Sequence, residues 1–249
     1  MLCWHNDAPA TSAPRDIRPR RIGTSRRPVP GYLLHPMQLT TIPDALLPDA
    51  LATLASHLPP GSLTAQVLTR IAATRDLIAL GVDTPAHRAA AVDLARAFGI
   101  GVIDEAPQDA FSYDGRAIRT RSEAYVLIHE VAHWLVAPPE RRSLIDFGLG
   151  AGPESGRIDE ANHAIAVGKE EQIREEALAS LLGILWEVEL GQPAILAFLE
   201  QNWLEGWERP SCAENLIDNV EALFQAGLIN ADGRPIPPES CVDCARAAA

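Results

Sequence analysis

Lysine is almost absent from this chain. Of its 21 basic residues only Lys169 is lysine and the rest are arginine, a skew that reads as genomic composition bias rather than chemistry. Methionine is equally scarce, with Met1 and Met37 alone, so Met37 offers a second possible start of translation. Four cysteines in 249 residues do not make the disulfide framework of a small secreted domain. Cys241-Val242-Asp243-Cys244 has C-x-x-C spacing, but a structural zinc site needs two more ligands and only Cys3 and Cys212 remain, so reduced thiols are expected. No apolar run reaches the roughly 20 residues of a membrane span, and the N-terminus lacks the apolar stretch of a signal peptide. No internal repeat is evident. These absences leave a soluble, cytoplasmic protein with no membrane partner as the expectation.

Charge is unevenly distributed. Residues 1–36 carry six arginines (15, 18, 20, 21, 26 and 27) against Asp7 and Asp16, a net of +4; the total is −12, so residues 37–249 carry −16. An acidic body argues against nucleic acid as a partner. The basic arm is rich in Pro, Arg and Ser without periodicity, and is expected to be disordered. The remaining length is enough for one catalytic domain over 37–230, with a flexible tail over 231–249.

Helical periodicity predicts helices near 44–57, 63–80 and 85–98, the third opened by Thr84-Pro85. Residues 100–103 read as a short strand. Asp114-Gly115 between 111–113 and 116–119 reads as a hairpin turn. A helix over about 121–137 follows, opened by the capping-box pattern of Thr120 and Glu123 and stopped by Pro138-Pro139. Residues 140–168 are glycine-rich and read as a long loop with a short helical piece. Further helices are expected over 170–190, 193–206 and from a second capping box at Ser211 to about 226. The fold class is therefore α+β and mostly helical, with a metal-binding helix packed on a small sheet.

That helix carries the chemistry. Its segment Tyr125-Val126-Leu127-Ile128-His129-Glu130-Val131-Ala132-His133-Trp134 contains H-E-x-x-H. Histidines at i and i+4 share one face, so His129 and His133 can hold a single ion without help from a loop. Glu130 leaves the helix about 100° from His129 and is placed to act as a general base toward a water. The apolar setting half-buries these groups, and buried polar groups need partners.

Position 136 is Val and position 139 is Pro, which excludes a closely spaced third histidine. A glutamate from the 170–190 helix is the alternative. Glu170, Glu171, Glu175 and Glu176 are candidates. Glu176 is preferred because its face continues through Ala179, Ser180 and Gly183, small residues that let two helices approach; Glu175 and then Glu171 follow. Arg141, Arg142 and Asp146 lie just beyond the helix. Asp146 could orient a ligand histidine and an arginine could hold a substrate carboxylate, or they could form an ordinary surface ion pair. Tyr125 could line the site or pack in the core. His163 is a possible extra ligand, though a lone loop histidine is more often solvated.

The run His129-Glu130-Val131-Ala132-His133-Trp134, Ala137, Arg141-Arg142 and Asp146-Phe147-Gly148 resembles the elongation factor P hydroxylase family over about twenty residues, with weaker similarity on either side. The resemblance implies a non-haem iron site of two histidines and a carboxylate, acting on a modified lysine of a translation factor. The aromatic run that follows Asp-Phe-Gly in that family is Leu149-Gly150-Ala151 here. The upstream order, from Asp93-Leu94-Ala95 through Gly99-Ile100-Gly101-Val102 and Tyr113-Asp114-Gly115-Arg116-Ala117-Ile118 to the H-E-x-x-H helix and Glu176-x-x-Ala179, is similar to the zincin-like ImmA/IrrE metallopeptidases. That resemblance implies zinc and peptide hydrolysis. Either way the expectation is a metalloenzyme with one divalent ion and a protein or peptide substrate: a hydroxylase with iron, or a metallopeptidase with zinc.

Overall fold

The computed structural model describes residues 42–240. The expected basic arm (1–36), the C-x-x-C pair and the last nine residues lie outside them. Among the described residues there are eight α-helices: α1 (Leu47–Ser56), α2 (Leu63–Ala73), α3 (Pro85–Ala97), α4 (Ala124–Val136), α5 (Ile158–His163), α6 (Lys169–Glu189), α7 (Ala194–Glu200) and α8 (Pro210–Gln225). Two short strands, β1 (Gly101–Ile103) and β2 (Ala117–Arg119), and five 3-10 segments, the longest over Thr74–Leu80, complete the regular structure.

Helix α6 is the axis of the molecule. Its residues from Ala177 to Glu187 are buried almost without a break, which is the pattern of a helix surrounded by others rather than lying on a surface. It packs chiefly on α4 and also on α7, α8 and α2, while α3 covers another side of α4. An ideal Cβ on Gly183 would stand 3.4 Å from the His129 Cα. The small-residue face of α6 therefore sets the close approach of the two helices.

Local signals explain some helix ends and fail at others. Ser62 caps α2 by accepting from the Ala65 N–H at 3.2 Å. Thr84 and His87 form a reciprocal capping box on α3, with Pro85 in the first turn. The expected box at Thr120–Glu123 does not form. Helix α4 starts at Ala124, and its first N–H donates to Asp83 Oδ1 at 2.8 Å from the loop before α3. The box expected at Ser211 does not form either: Pro210 already occupies the first turn of α8, where its missing N–H costs nothing. Helix α7 ends at Glu200 rather than near 206.

The hairpin expectation needs correction. Asp114-Gly115 does reverse the chain, with Asp114 Oδ1 accepting from the Arg116 and Ala117 N–H groups at 3.0 Å. Gly115 adopts φ +88° and lies so close to Ser143 that a Cβ would stand 2.4 Å from its carbonyl oxygen. The antiparallel partner is only a single bridge, Tyr113 to Ile118, whereas β2 pairs in parallel with β1, Gly101 opposite Ala117 through Ile103 opposite Arg119. A three-residue strand has no periodicity to announce which neighbour it will choose.

Ile229 bridges Pro235, Gly233 O accepts from Arg70 at 2.7 Å, and Arg234 pairs with Glu189 at 2.8 Å. The chain thus folds back onto α2 and α6 after α8.

Burial extracts one cost. Glu187 is 4% exposed, and burial together with the like charge of Glu200 pushes its carboxyl up to about 8. The unfolded chain releases this proton near its ordinary value of 4.5, whereas the fold holds it until about 8, so stability falls as pH rises through that window. Glu187→Gln is therefore expected to match the parent near pH 4.5 and to be more stable by about 4 kcal/mol at pH 8. Urea melts at the two pH values check this; an equal effect at both would show that the fold leaves the Glu187 carboxyl at its unfolded value.

Candidate metal centre

Helix α4 delivers His129 and His133 one turn apart, and α6 delivers Glu176 opposite them. The two Nε2 atoms lie 2.9 Å apart. His129 Nε2 is 3.1 Å from Glu176 Oε1, and His133 Nε2 is 3.3 Å from Oε2. These three residues could hold a metal ion. Four-coordinate zinc with bonds of about 2.0–2.1 Å holds its ligands about 3.3 Å apart, close to the spacing here. His133 is buried and His129 nearly so, while the Glu176 side chain is half exposed at the cavity edge.

Electrostatics suits a cation. Burial disfavours charge on Glu176, but the two imidazoles outweigh it and hold its carboxyl well below the ordinary range. Burial, reinforced by His129, pushes His133 down. His129 rises, because the Glu176 carboxylate outweighs burial. His133 therefore favours the neutral form that a metal ligand needs.

Beside these three residues lies a cavity of about 380 Å³, walled by Glu130, His133, Phe147, Ile173 and Glu176 and roofed by the loop from Leu149 to Pro153. Glu130 is buried. Burial first, then the charge of Asp146, pushes its carboxyl up to about 8, a value a nearby divalent cation would pull down. Lys169, the single lysine, also lines this cavity and donates to Gln172 at 3.0 Å. Gln172 in turn donates to Leu149 O at 2.6 Å, tying the roof to α6.

The other residues singled out from sequence serve the loop beyond α4. Arg141 is buried, donates to Phe147 O at 2.9 Å and pairs with Glu175. Glu175 thus faces an arginine and not the histidines. Arg142 lies 4.0 Å over the Trp134 ring and donates to Ala137 O. Asp146 is buried: its Oδ1 accepts from the Tyr113 N–H at 3.0 Å and its Oδ2 from the Ser155 hydroxyl at 2.7 Å. Neither bond reaches a histidine, and His129 Nδ1 is buried without a partner. Tyr125 faces Glu200 and Glu123 and does not line the cavity. His163 stays on α5 with its Nδ1 2.6 Å from Asp159 O. Glu170 and Glu171 are exposed in the first turn of α6, where acidic charge favours a helix N-terminus.

Sequence reasoning gave Phe147 no role beyond its place in the Asp-Phe-Gly motif, and it missed Ser155 and Gly156. Phe147 stacks on Tyr113 at 4.4 Å between centroids and on His133 at 5.6 Å. Gly156 sits against Gln108 so tightly that a Cβ would stand 1.8 Å from its carbonyl oxygen. The only signal for Ser155 and Gly156 was the density of glycine in the loop.

Residues 114–190 match the family model for elongation factor P hydroxylase. The match is longer than the twenty or so residues that carry the resemblance by eye. It takes in the Asp114-Gly115 turn, both histidines, the Arg141–Gly148 segment and Glu176. No curated protein and no solved structure matches the chain.

Replacing His129 or His133 by Ala removes one of three candidate ligands, and both variants are expected to lose stoichiometric zinc or iron in metal analysis. Glu176→Gln should weaken metal retention at least tenfold, while Glu175→Gln, which disturbs only the Arg141 pair, should keep the metal. The reverse ranking of the two glutamine variants would place the third ligand on the other face of α6.

Proposed function

We propose that this chain is a metal-dependent hydroxylase that modifies a protein side chain, a modified lysine on a translation factor of the elongation factor P type. The observation that carries this reading is the family match, which encloses all three candidate ligands. We read the α4–α6 pair as zincin-like, with H-E-x-x-H on one helix and a glutamate on the next.

An ion held by His129, His133 and Glu176 would be iron in this reading and would supply the redox chemistry of dioxygen. The chain's own residues do the rest. Phe147, Leu149 and Ile173 present apolar walls that limit water. Glu130 borders the same space and holds or accepts a proton at its carboxyl. The cavity volume fits one side chain, so the substrate protein would present a single extended residue. No helix among the described residues is long and apolar enough to cross a membrane.

A second reading, zinc-dependent peptide hydrolysis of the ImmA/IrrE kind, is favoured by one observation. Glu130 lines the cavity next to His133 and Glu176, where a hydrolase needs its base.

Glu130→Gln separates the two. It keeps shape and removes the charge. In a hydrolase it should retain metal and lose on the order of 10²–10⁴ in rate, whereas an oxygen-dependent hydroxylation should survive it. The full chain is purified anaerobically and loaded with iron or zinc. Oxygen uptake and a mass gain of one oxygen are followed on elongation factor P carrying its modified lysine, with a two-electron reductant present to take the second oxygen atom to water, alongside peptide cleavage. Iron-dependent hydroxylation that persists in Glu130→Gln is the expected result. Zinc-dependent cleavage abolished in that variant would overturn the hydroxylase reading.

A further inference from the structure

We propose that Phe147 is a positioning residue of the metal centre: its ring fixes the plane of the His133 imidazole, and its carbonyl, through Arg141, fixes the stretch of α6 that bears Glu176. The inference rests on the metal-centre reading and deepens it.

A ligand histidine is ordinarily oriented by a hydrogen bond to its remote ring nitrogen. That device is missing at His129, whose buried Nδ1 has no partner, and Asp146 spends its oxygens on Tyr113 and Ser155; at His133 the polar contacts found among the described residues are at Nε2, to His129 and Glu176. Packing must then set the rings. His129 and His133 meet edge to face at 4.5 Å, which relates each ring to the other but to nothing external. Phe147 provides the external reference. Its ring lies 6° from parallel with Tyr113 and 20° from parallel with His133, forming a three-ring stack from the β2 turn to α4.

The backbone is committed to this placement. Asp146 and Phe147 are consecutive non-glycine residues in the left-handed region, at φ 42° and 57°. Such a conformation persists only where surrounding contacts impose it. Those contacts are present: the two Asp146 hydrogen bonds, and the Arg141 guanidinium spanning Phe147 O and the Glu175 carboxylate. Glu175 precedes Glu176 directly. One residue thus touches a ligand ring on α4 through its side chain, and connects to the neighbour of the ligand on α6 through its carbonyl. Phe147 is 1% exposed, so its ring is held from all sides.

The test uses cobalt(II) as the probe with the full chain, read by visible absorption and by competition with a chelator. Phe147→Leu keeps apolar bulk and removes the ring. It is expected to shift the cobalt bands and weaken cobalt binding about tenfold or more, the range seen when a ligand's supporting group is lost. Phe147→Tyr restores the ring and should return both to parental values. Thermal melts of the metal-free proteins report the packing cost separately. A Phe147→Leu protein with a lower melting temperature but parental bands and affinity overturns the proposal and leaves Phe147 an ordinary core residue. If that variant does not fold, Tyr113→Leu removes the outer ring of the stack, and unchanged bands there overturn the proposal. A parental chain that takes up no cobalt overturns the metal centre itself, and this inference with it.

Discussion

Everything at this site depends on how closely α4 and α6 approach. With Gly183 against the His129 Cα, the two helices pack with little side-chain bulk between them. Only at that separation can a short glutamate side chain on one helix meet two imidazoles on the other at 3.1 and 3.3 Å. A larger side chain at 183 would push against backbone, not a mobile tip, and a shift of even a fraction of an ångström is large beside the tolerance of a metal–ligand bond.

The second constraint is the loop after α4. Pro138 ends the helix, and the chain then returns beneath it through Arg141, Asp146 and Phe147. This loop has little regular structure, yet its polar groups are satisfied: Asp146 by Tyr113 and Ser155, Arg141 by Phe147 and Glu175, the Arg142 carbonyl by the Tyr113 hydroxyl at 2.6 Å. A loop bonded this way is a rigid wall, and it closes one side of the cavity without a regular element.

The interior is unusually rich in carboxyl groups for so little positive charge. Glu130, Asp146 and Glu187 are all pushed upward, chiefly by burial. Around the ligands this is useful, since a cation offsets the cost of crowding acids together. Glu187 lies eleven residues beyond Glu176 on the same helix and has no such compensation from a cation among the charges acting on it. The carboxyls of Glu176 and Glu187 on α6 are thus shifted in opposite directions, the first held down by the two imidazoles and the second pushed up by burial.

Local pattern by itself determined most of the helices and the pairing of His129 and His133 on one face. The i, i+4 histidines, the stop at Pro138, the cap at Thr84 and the glycine after α6 each act within a turn or two of chain, so their consequences can be read along it. The preference for Glu176 over Glu175 was legible for the same reason, because adjacent residues on a helix point about 100° apart and only one face carried small residues. What the tertiary structure decided is what joins distant segments. Asp83 capping α4, β2 choosing β1 over its own hairpin, Arg141 reaching Glu175 and Phe147 entering a stack with His133 have no periodic signature. Each is a single contact whose partner lies far along the chain, and such a partner is chosen by the packing of the whole rather than by its neighbours in sequence.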